Sequence, residues 1–173
     1  MLRDLLMRLA MTGLFKAQWT EQIHEEWISA LLRNKPGIDR KSLLRVKELM
    51  DRHSTDAVVN NYEILIEQLD LPDPDDRHVL AAAIKSNSDA IVTFNLKDFP
   101  LSNLKQYDIE AIHPDEFISY QFDLSPSKVC SAAKAMRASL RSPPFTEKEF
   151  IAALERNKLP ITASLLNDYL EHI

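Results

Sequence analysis

The stretch LPDPDDRHVLAAAIKSNSDAIVTFNLKDFP, Leu71–Pro100, carries the reading of the fold. Its first six residues hold two prolines and three aspartates and make a polar break. His78–Asn87 follows, with strong helix formers in VLAAAIK. The aspartates before it suit the positively polarised start of a helix. Asp89–Thr93, DAIVT, is a short β-branched run typical of a buried parallel strand. A second such run, IEAI, lies at residues 109–112. Strands alternating with helices predict an α/β fold, a parallel sheet covered by helices on both faces.

Upstream, Leu2, Leu5, Leu6 and Leu9 recur at helical spacing, and Gly13 stands as the stop. Leu14–Trp19 is short and apolar enough for a strand. Thr20 is placed to cap a helix whose apolar face carries Ile23, Trp27, Ala30 and Leu31, ending at Asn34–Gly37. Residues 40–52 predict another helix, with Leu43, Leu44, Val46, Leu49 and Met50 turned inward. Residues 56–60 predict an irregular stretch or short strand, and Tyr62–Leu69 a turn or two of helix. Beyond about Asp123 only helices are expected. Ser125 is the cap and Pro126 the first residue of one that runs to about Leu140. Ser142-Pro143-Pro144 makes a linker. Thr146 with Glu149 forms a capping box for the next, and Pro160 opens the last, Ile161–His172. The expected division is a domain over 1–123 and a helical extension over 124–173.

Composition narrows the function. A chain of 173 residues with 45% apolar content holds one core and a small appendage. It has no run of 18 apolar residues, so no membrane span is expected. Arg3, Asp4 and Arg8 make the N-terminus an amphipathic helix, not a signal peptide. The single cysteine, Cys130, excludes an internal disulfide, reads as a small buried hydrophobe and fits a reducing cytoplasm. A net charge of -5 argues against a general nucleic-acid coat protein, though acids gathered to hold a metal lower the net charge too. Two glycines leave no glycine-rich phosphate loop. The chain also lacks CxxC, HExxH and a nucleophile elbow.

Carboxylates are what remain. Asp73, Asp75 and Asp76 precede the Ala-rich helix, and Asp98 follows the IVT strand. Acids at strand ends and helix starts can converge in the crevice where parallel sheets bind ligands. Such a group is most easily held together by a hard divalent cation, Mg²⁺ or Mn²⁺. A cation there can activate water and stabilise phosphoryl charge.

Leu71–Pro100 resembles the central signature of the PIN domain, the fold of VapC-type toxin ribonucleases. That signature is an acid opening a helix of the form D-x-x-h-x-A-A-A, a strand ending in Thr, then Asn or Asp, then Asp before Phe. On this pattern Asp76 opens the helix, and Thr93, Asn95 and Asp98 form the polar set after the strand. Thr20 and Glu26 match a family Ser or Thr and a Glu six residues on. The resemblance covers roughly residues 1–123, and the tail is similar to an extension on some VapC-like toxins. It implies a three-layer α/β/α fold and a single-strand-specific endoribonuclease of a toxin–antitoxin system. In that enzyme Glu26, Asp76 and Asp98 would be metal ligands for Mg²⁺ or Mn²⁺, with Asn95 assisting catalysis and Thr93 in support. RNA would be the substrate and a cognate antitoxin the partner, in a cytoplasmic protein that often dimerises. The family pattern opens with a strand ending in Asp, whereas Met1-Leu2-Arg3-Asp4-Leu5-Leu6 matches the helix after it. The first strand and its Asp are therefore expected to be missing, and Asp4, within a helix, does not replace them. Two other readings stay open: a catalytically inactive PIN-like binding or regulatory module, and a metal-dependent DNase of a related fold.

Ordinary roles are expected for several neighbours. Asp73 and Asp75 read as capping or solvated charges, and His78 as a hydrogen-bonded structural histidine. His24, His53, His113 and His172 have no mutual ligand spacing. Trp19 and Trp27 read as core or dimer contacts. Lys134, Arg137 and Arg141 form a stripe that could meet RNA backbone but is by default a solvated face.

Overall fold

Thr20 shows how this chain starts a helix. Its backbone is extended, and its buried hydroxyl accepts the Ile23 N–H at 3.1 Å. One donor that the first turn cannot pair is thereby satisfied. The computed structural model describes residues 1–35, 37–53 and 56–173, with the His53 side chain also outside the description. Pro36, within the expected stop Asn34–Gly37, lies outside the described residues as well.

The elements in chain order are α1 (Leu2–Met11), α2 (Glu21–Asn34), α3 (Arg40–His53), α4 (Glu63–Ile66), α5 (Arg77–Lys85), β1 (Ala90–Val92), α6 (Leu101–Leu104), β2 (Glu110–Ile112), α7 (Pro114–Leu124), α8 (Pro126–Ser139), α9 (Glu147–Arg156) and α10 (Pro160–Asn167). Short 3₁₀ turns at Pro74–Asp76, Leu96–Asp98, Lys105–Tyr107 and Leu170–His172 complete the list. Most of the chain is helical. Among the described residues the sheet is one parallel pair, β1 beside β2. The Glu110 N–H donates to the Asp89 carbonyl at 3.1 Å, and the Thr93 N–H to the Ile112 carbonyl at 3.0 Å.

Two compact units divide the chain. One comprises Ala17–Ile91 and Asn95–Ala111. Its core is built from Val59, Tyr62, Leu71, Leu80, Ile91 and Leu104, with Ala81–Ala83 giving α5 its buried face. The other comprises Met1–Lys16, Val92–Phe94 and Ile112–Ile173. Leu5 and Leu9 of α1 share its core with Ile118, Met136, Phe150 and Leu166. Helix α1 packs on α8, α7 on α8, and α10 on both α7 and α9. Asp115, only 2% exposed, accepts hydrogen bonds from the Ile161 N–H, the Thr162 N–H and the Thr162 hydroxyl at 2.7–2.8 Å. A carboxylate of α7 thus caps the start of α10, where the helix dipole favours negative charge.

Three local expectations are corrected and one helix is added. Leu14–Trp19 is no strand. Trp19 alone makes a parallel bridge with Val58, while Leu14 and Phe15 pack sideways into the helical core, Phe15 with its ring 4.8 Å from Phe117. In α3, Leu44 and Leu49 are 37% and 53% exposed. Leu43 is buried and Val46 and Met50 are half-buried as expected, and Lys47 and Asp51, also half-buried, extend the face from Leu43 at i+4 and i+8 to reach residues of α2. Helix α7 was not anticipated, although Pro114 at its first position and Asp115-Glu116 behind it are start signals. Ser125 occupies the cap position of α8, but its hydroxyl makes no capping bond. The capping box of Thr146 and Glu149 is present in full.

The polar end of that face is a network around Asp51. Its Oδ1 accepts from Trp19 Nε1 at 2.8 Å and from His24 Nε2 at 3.0 Å, and its Oδ2 from Lys47 Nζ at 3.1 Å. Trp27 Nε1 donates to His24 Nδ1 at 3.0 Å, which leaves the proton of a neutral His24 on Nε2. Burial pushes the Asp51 carboxyl up, but the hydrogen bonds from Trp19, Lys47 and His24 outweigh it and hold the carboxyl below its ordinary value. A lowered carboxyl pKa stabilises the fold above the unfolded value, and that stabilisation is lost as pH falls through the folded value. Asp51→Asn should cost about 1–3 kcal/mol at pH 7. That lowers Tm by about 2–4 °C per kcal/mol and flattens the acid side of the stability profile. Melts from pH 7 to pH 3 on both proteins check this.

Candidate metal centre

The site starts from the turn that LPDPDD makes. Asp73 has an extended backbone, and its Oδ1 accepts the Asp75 N–H at 2.9 Å, so that Pro74–Asp76 closes as a 3₁₀ turn. Asp76 then holds the cap position of α5, yet its side chain makes no capping bond. Its carboxylate is free for another role. Asp98 arrives from the other side of the sequence, in the turn that follows β1. Asn95 Nδ2 donates to its Oδ2 and orients it.

These elements bring Asp73, Asp76 and Asp98 together, with one carboxylate oxygen of each lying within 4.8 Å of the others. Among the described residues no Lys, Arg or His forms an ion pair with any of the three. At that separation each pair repels by roughly 1–4 kcal/mol between bulk water and a partly screened protein surface. Asp76 registers the strain. Its carboxyl is pushed above the ordinary range, first by burial and then by the charges of Asp73, Asp98 and Glu26, with His78 opposing. The donor set is all oxygen. Asp73 has Oδ2 and Asp98 has Oδ1 left over after the bonds above, and Asp76 has both. Hard oxygen donors in excess negative charge fit a divalent cation such as Mg²⁺ or Mn²⁺.

Glu26 stands outside that trio. Its Oε1 accepts from His78 Nε2 at 2.9 Å and from Gln22 Nε2 at 3.4 Å. Beside it opens a cleft of about 310 Å³ lined by Gln22, Glu26, Ile66, Pro74, Asp75 and His78. Asn95 reaches Asp98, while Thr93 extends the ladder of β1. Two features escaped the sequence reading. Asp73, taken for a cap, does cap, but it also belongs to the trio. Its i, i+3 spacing from Asp76 across a tight turn was the available signal. The Glu26–His78 pair joins residues 52 positions apart and left no local signal. Of the basic stripe, Arg137 is occupied structurally. It donates to the Phe145 and Ile173 carbonyls at 3.0 Å and pairs with Glu147 at 2.8 Å. Lys134 and Arg141 are exposed.

Comparison with known proteins gives the family. A family model described as PIN domain matches residues 2–97, and one described as VapC50 C-terminal domain matches residues 114–168. The putative ribonuclease VapC50 of Mycobacterium tuberculosis (strain ATCC 25618 / H37Rv) is 44% identical over 79 residues. That alignment covers 46% of this chain and 47% of the relative, so the chain spans about half the length of the curated relative it matches. No solved structure matches the chain. Because the PIN-domain match takes in more than half of its residues, and a VapC50-type C-terminal match follows it, the chain is a PIN-domain protein of the VapC type.

Proposed function

We propose that this protein is a metal-dependent endoribonuclease, the toxin of a toxin–antitoxin pair, acting on RNA in the cytoplasm. The observation that carries the reading is the trio Asp73, Asp76 and Asp98, gathered within 4.8 Å with no cationic partner among the described residues. Asp76 and Asp98 would hold Mg²⁺ or Mn²⁺, joined by Asp73 and by Glu26 from across the cleft. Bound there, a divalent cation supplies Lewis-acid stabilisation of phosphoryl charge and eases deprotonation of a water. The chain's own residues do the rest. Asn95 holds Asp98 by one oxygen and leaves the other for ligation. The cleft beside Glu26 offers apolar lining from Ile66 and Pro74 and polar lining from Gln22 and His78 to a nucleotide. Thr93 supports the turn that delivers Asn95 and Asp98. We also propose the module boundary at 123/124, a three-layer α/β/α arrangement for 1–123 and homodimerisation. A cognate antitoxin would block the cleft.

One observation favours a second reading. Glu26 is engaged with His78 and stands apart from the trio, as expected of a PIN-like module that binds a partner and does not cut.

The test is titration of Mn²⁺ into the full chain by calorimetry, with single-stranded RNA cleavage measured alongside. The wild type should bind and cleave. Asp76→Asn and Asp98→Asn should each lose about 100-fold or more in rate, beyond the 10–100-fold typical of outer-sphere partners. Metal binding without cleavage would favour the binding module, and no metal binding would end the metal-site reading.

The repulsion within the trio predicts a second result. Without metal at pH 7, Asp76→Asn should melt above the wild-type temperature, by about 2–4 °C for each kcal/mol of repulsion relieved. With Mn²⁺ the order should reverse, because only the wild type gains binding energy. Thermal melts with and without Mn²⁺, after treatment with chelator, check the crossover.

A further inference from the structure

We infer that His78 is a positioning residue of this site, donating its Nε2–H to Glu26 Oε1 so that Oε2 is presented to a bound cation. The inference rests on the metal-site reading above. His78 is 3% exposed and comes from α5, two residues after Asp76. Its Nε2 lies 2.9 Å from Glu26 Oε1, while the Glu26 side chain is half exposed at the cleft. An ionised carboxylate can only accept, so the proton of that bond sits on Nε2. Among the described residues both donors to Glu26, His78 and Gln22, take Oε1, which leaves Oε2 for a ligand.

The other ring nitrogen carries the argument further. His78 Nδ1 is buried and, among the described residues, has no hydrogen-bond partner. A histidine whose task is packing has no reason to bury an unpaired acceptor, because an apolar side chain of similar size fills the same space without that cost. What His78 provides that Leu does not is a single N–H fixed by the core and aimed at Glu26. Gln22 cannot replace it. Its contact is long, at 3.4 Å, and comes from an exposed residue one turn away on the same helix. Outer-sphere donors of this kind fix a ligand's rotamer and tune its donor strength.

The experiment measures Mn²⁺ affinity by calorimetry for the wild type, His78→Leu, His78→Gln, Glu26→Ala and the Glu26→Ala/His78→Leu double variant. His78→Leu should weaken binding about 10–100-fold. His78→Gln, whose amide nitrogen reaches the Nε2 position, should restore affinity to within about 3-fold of wild type, on the scale of one retained hydrogen bond. In the Glu26→Ala background His78→Leu should have no further effect, since the coupling runs through Glu26. ¹⁵N spectra of the wild-type imidazole should show the Nε2–H tautomer, and the signature should change in Glu26→Ala without metal. A His78→Leu chain that melts lower but binds Mn²⁺ as tightly as wild type would overturn the inference and leave the metal site standing. So would an equal loss in both backgrounds. Absence of Mn²⁺ binding by the wild type would overturn the metal-site reading and this inference with it.

Discussion

Mutual repulsion among Asp73, Asp76 and Asp98 is the constraint around which the Ala17–Ile91 and Asn95–Ala111 unit is arranged. Three like charges within 4.8 Å do not gather on their own account. The chain holds them with backbone, packing and the field of a helix start. Pro74 stiffens the turn between Asp73 and Asp76. Leu80 and Ala81 anchor α5 in the core, and the positive end of its dipole lies under Asp76. The ladder of β1 and β2 determines where the following turn delivers Asp98. Packing energy elsewhere therefore sustains a locally unfavourable cluster, as expected where strain serves function.

The same residue type behaves quite differently where it is structural. Asp115 is more deeply buried than Asp76, yet it accepts three hydrogen bonds from α10 and makes no demand on its neighbours. Asp51 likewise satisfies Trp19, His24 and Lys47 at once. Both hold two helices together. Among the described residues Asp76 accepts no capping bond and forms no ion pair, and it has three acids within electrostatic reach. What sets Asp76 apart from these two carboxylates is not its position on a helix. It is that, among the described residues, its carboxylate makes neither a capping bond nor an ion pair.

Much of this was legible locally. The helix over VLAAAIK, the strand DAIVT, the capping box at Thr146 and the acids Asp76 and Asp98 all follow from short-range propensity, capping and spacing. The failures share one physical cause. Leu14 and Phe15 looked like strand residues because β-run and core-packing signals are alike over a few apolar positions. The stripe of α3 was misjudged because Lys47 and Asp51 face inward only by virtue of partners on α2. The pairing of Glu26 with His78 depends on the packing of α2 and α5 within one unit, and no window of sequence spans it. Local signals placed the acids, and tertiary contacts decided which of them are free.

The acidic balance of the chain adds a constraint on how the site can work. A net charge of -5, with three acids in the trio and Glu26 and Asp75 at the cleft, opposes the approach of a polyanion. Of the basic stripe on α8, Arg137 is committed to Glu147 and two carbonyls. On the proposed function the divalent cation therefore has two tasks. It carries the chemistry, and it also cancels the field that would otherwise exclude RNA from the cleft. Metal and substrate binding would then be thermodynamically linked, each favouring the other. The repulsion that strains the empty cluster would be relieved only when the site is ready to accept its substrate.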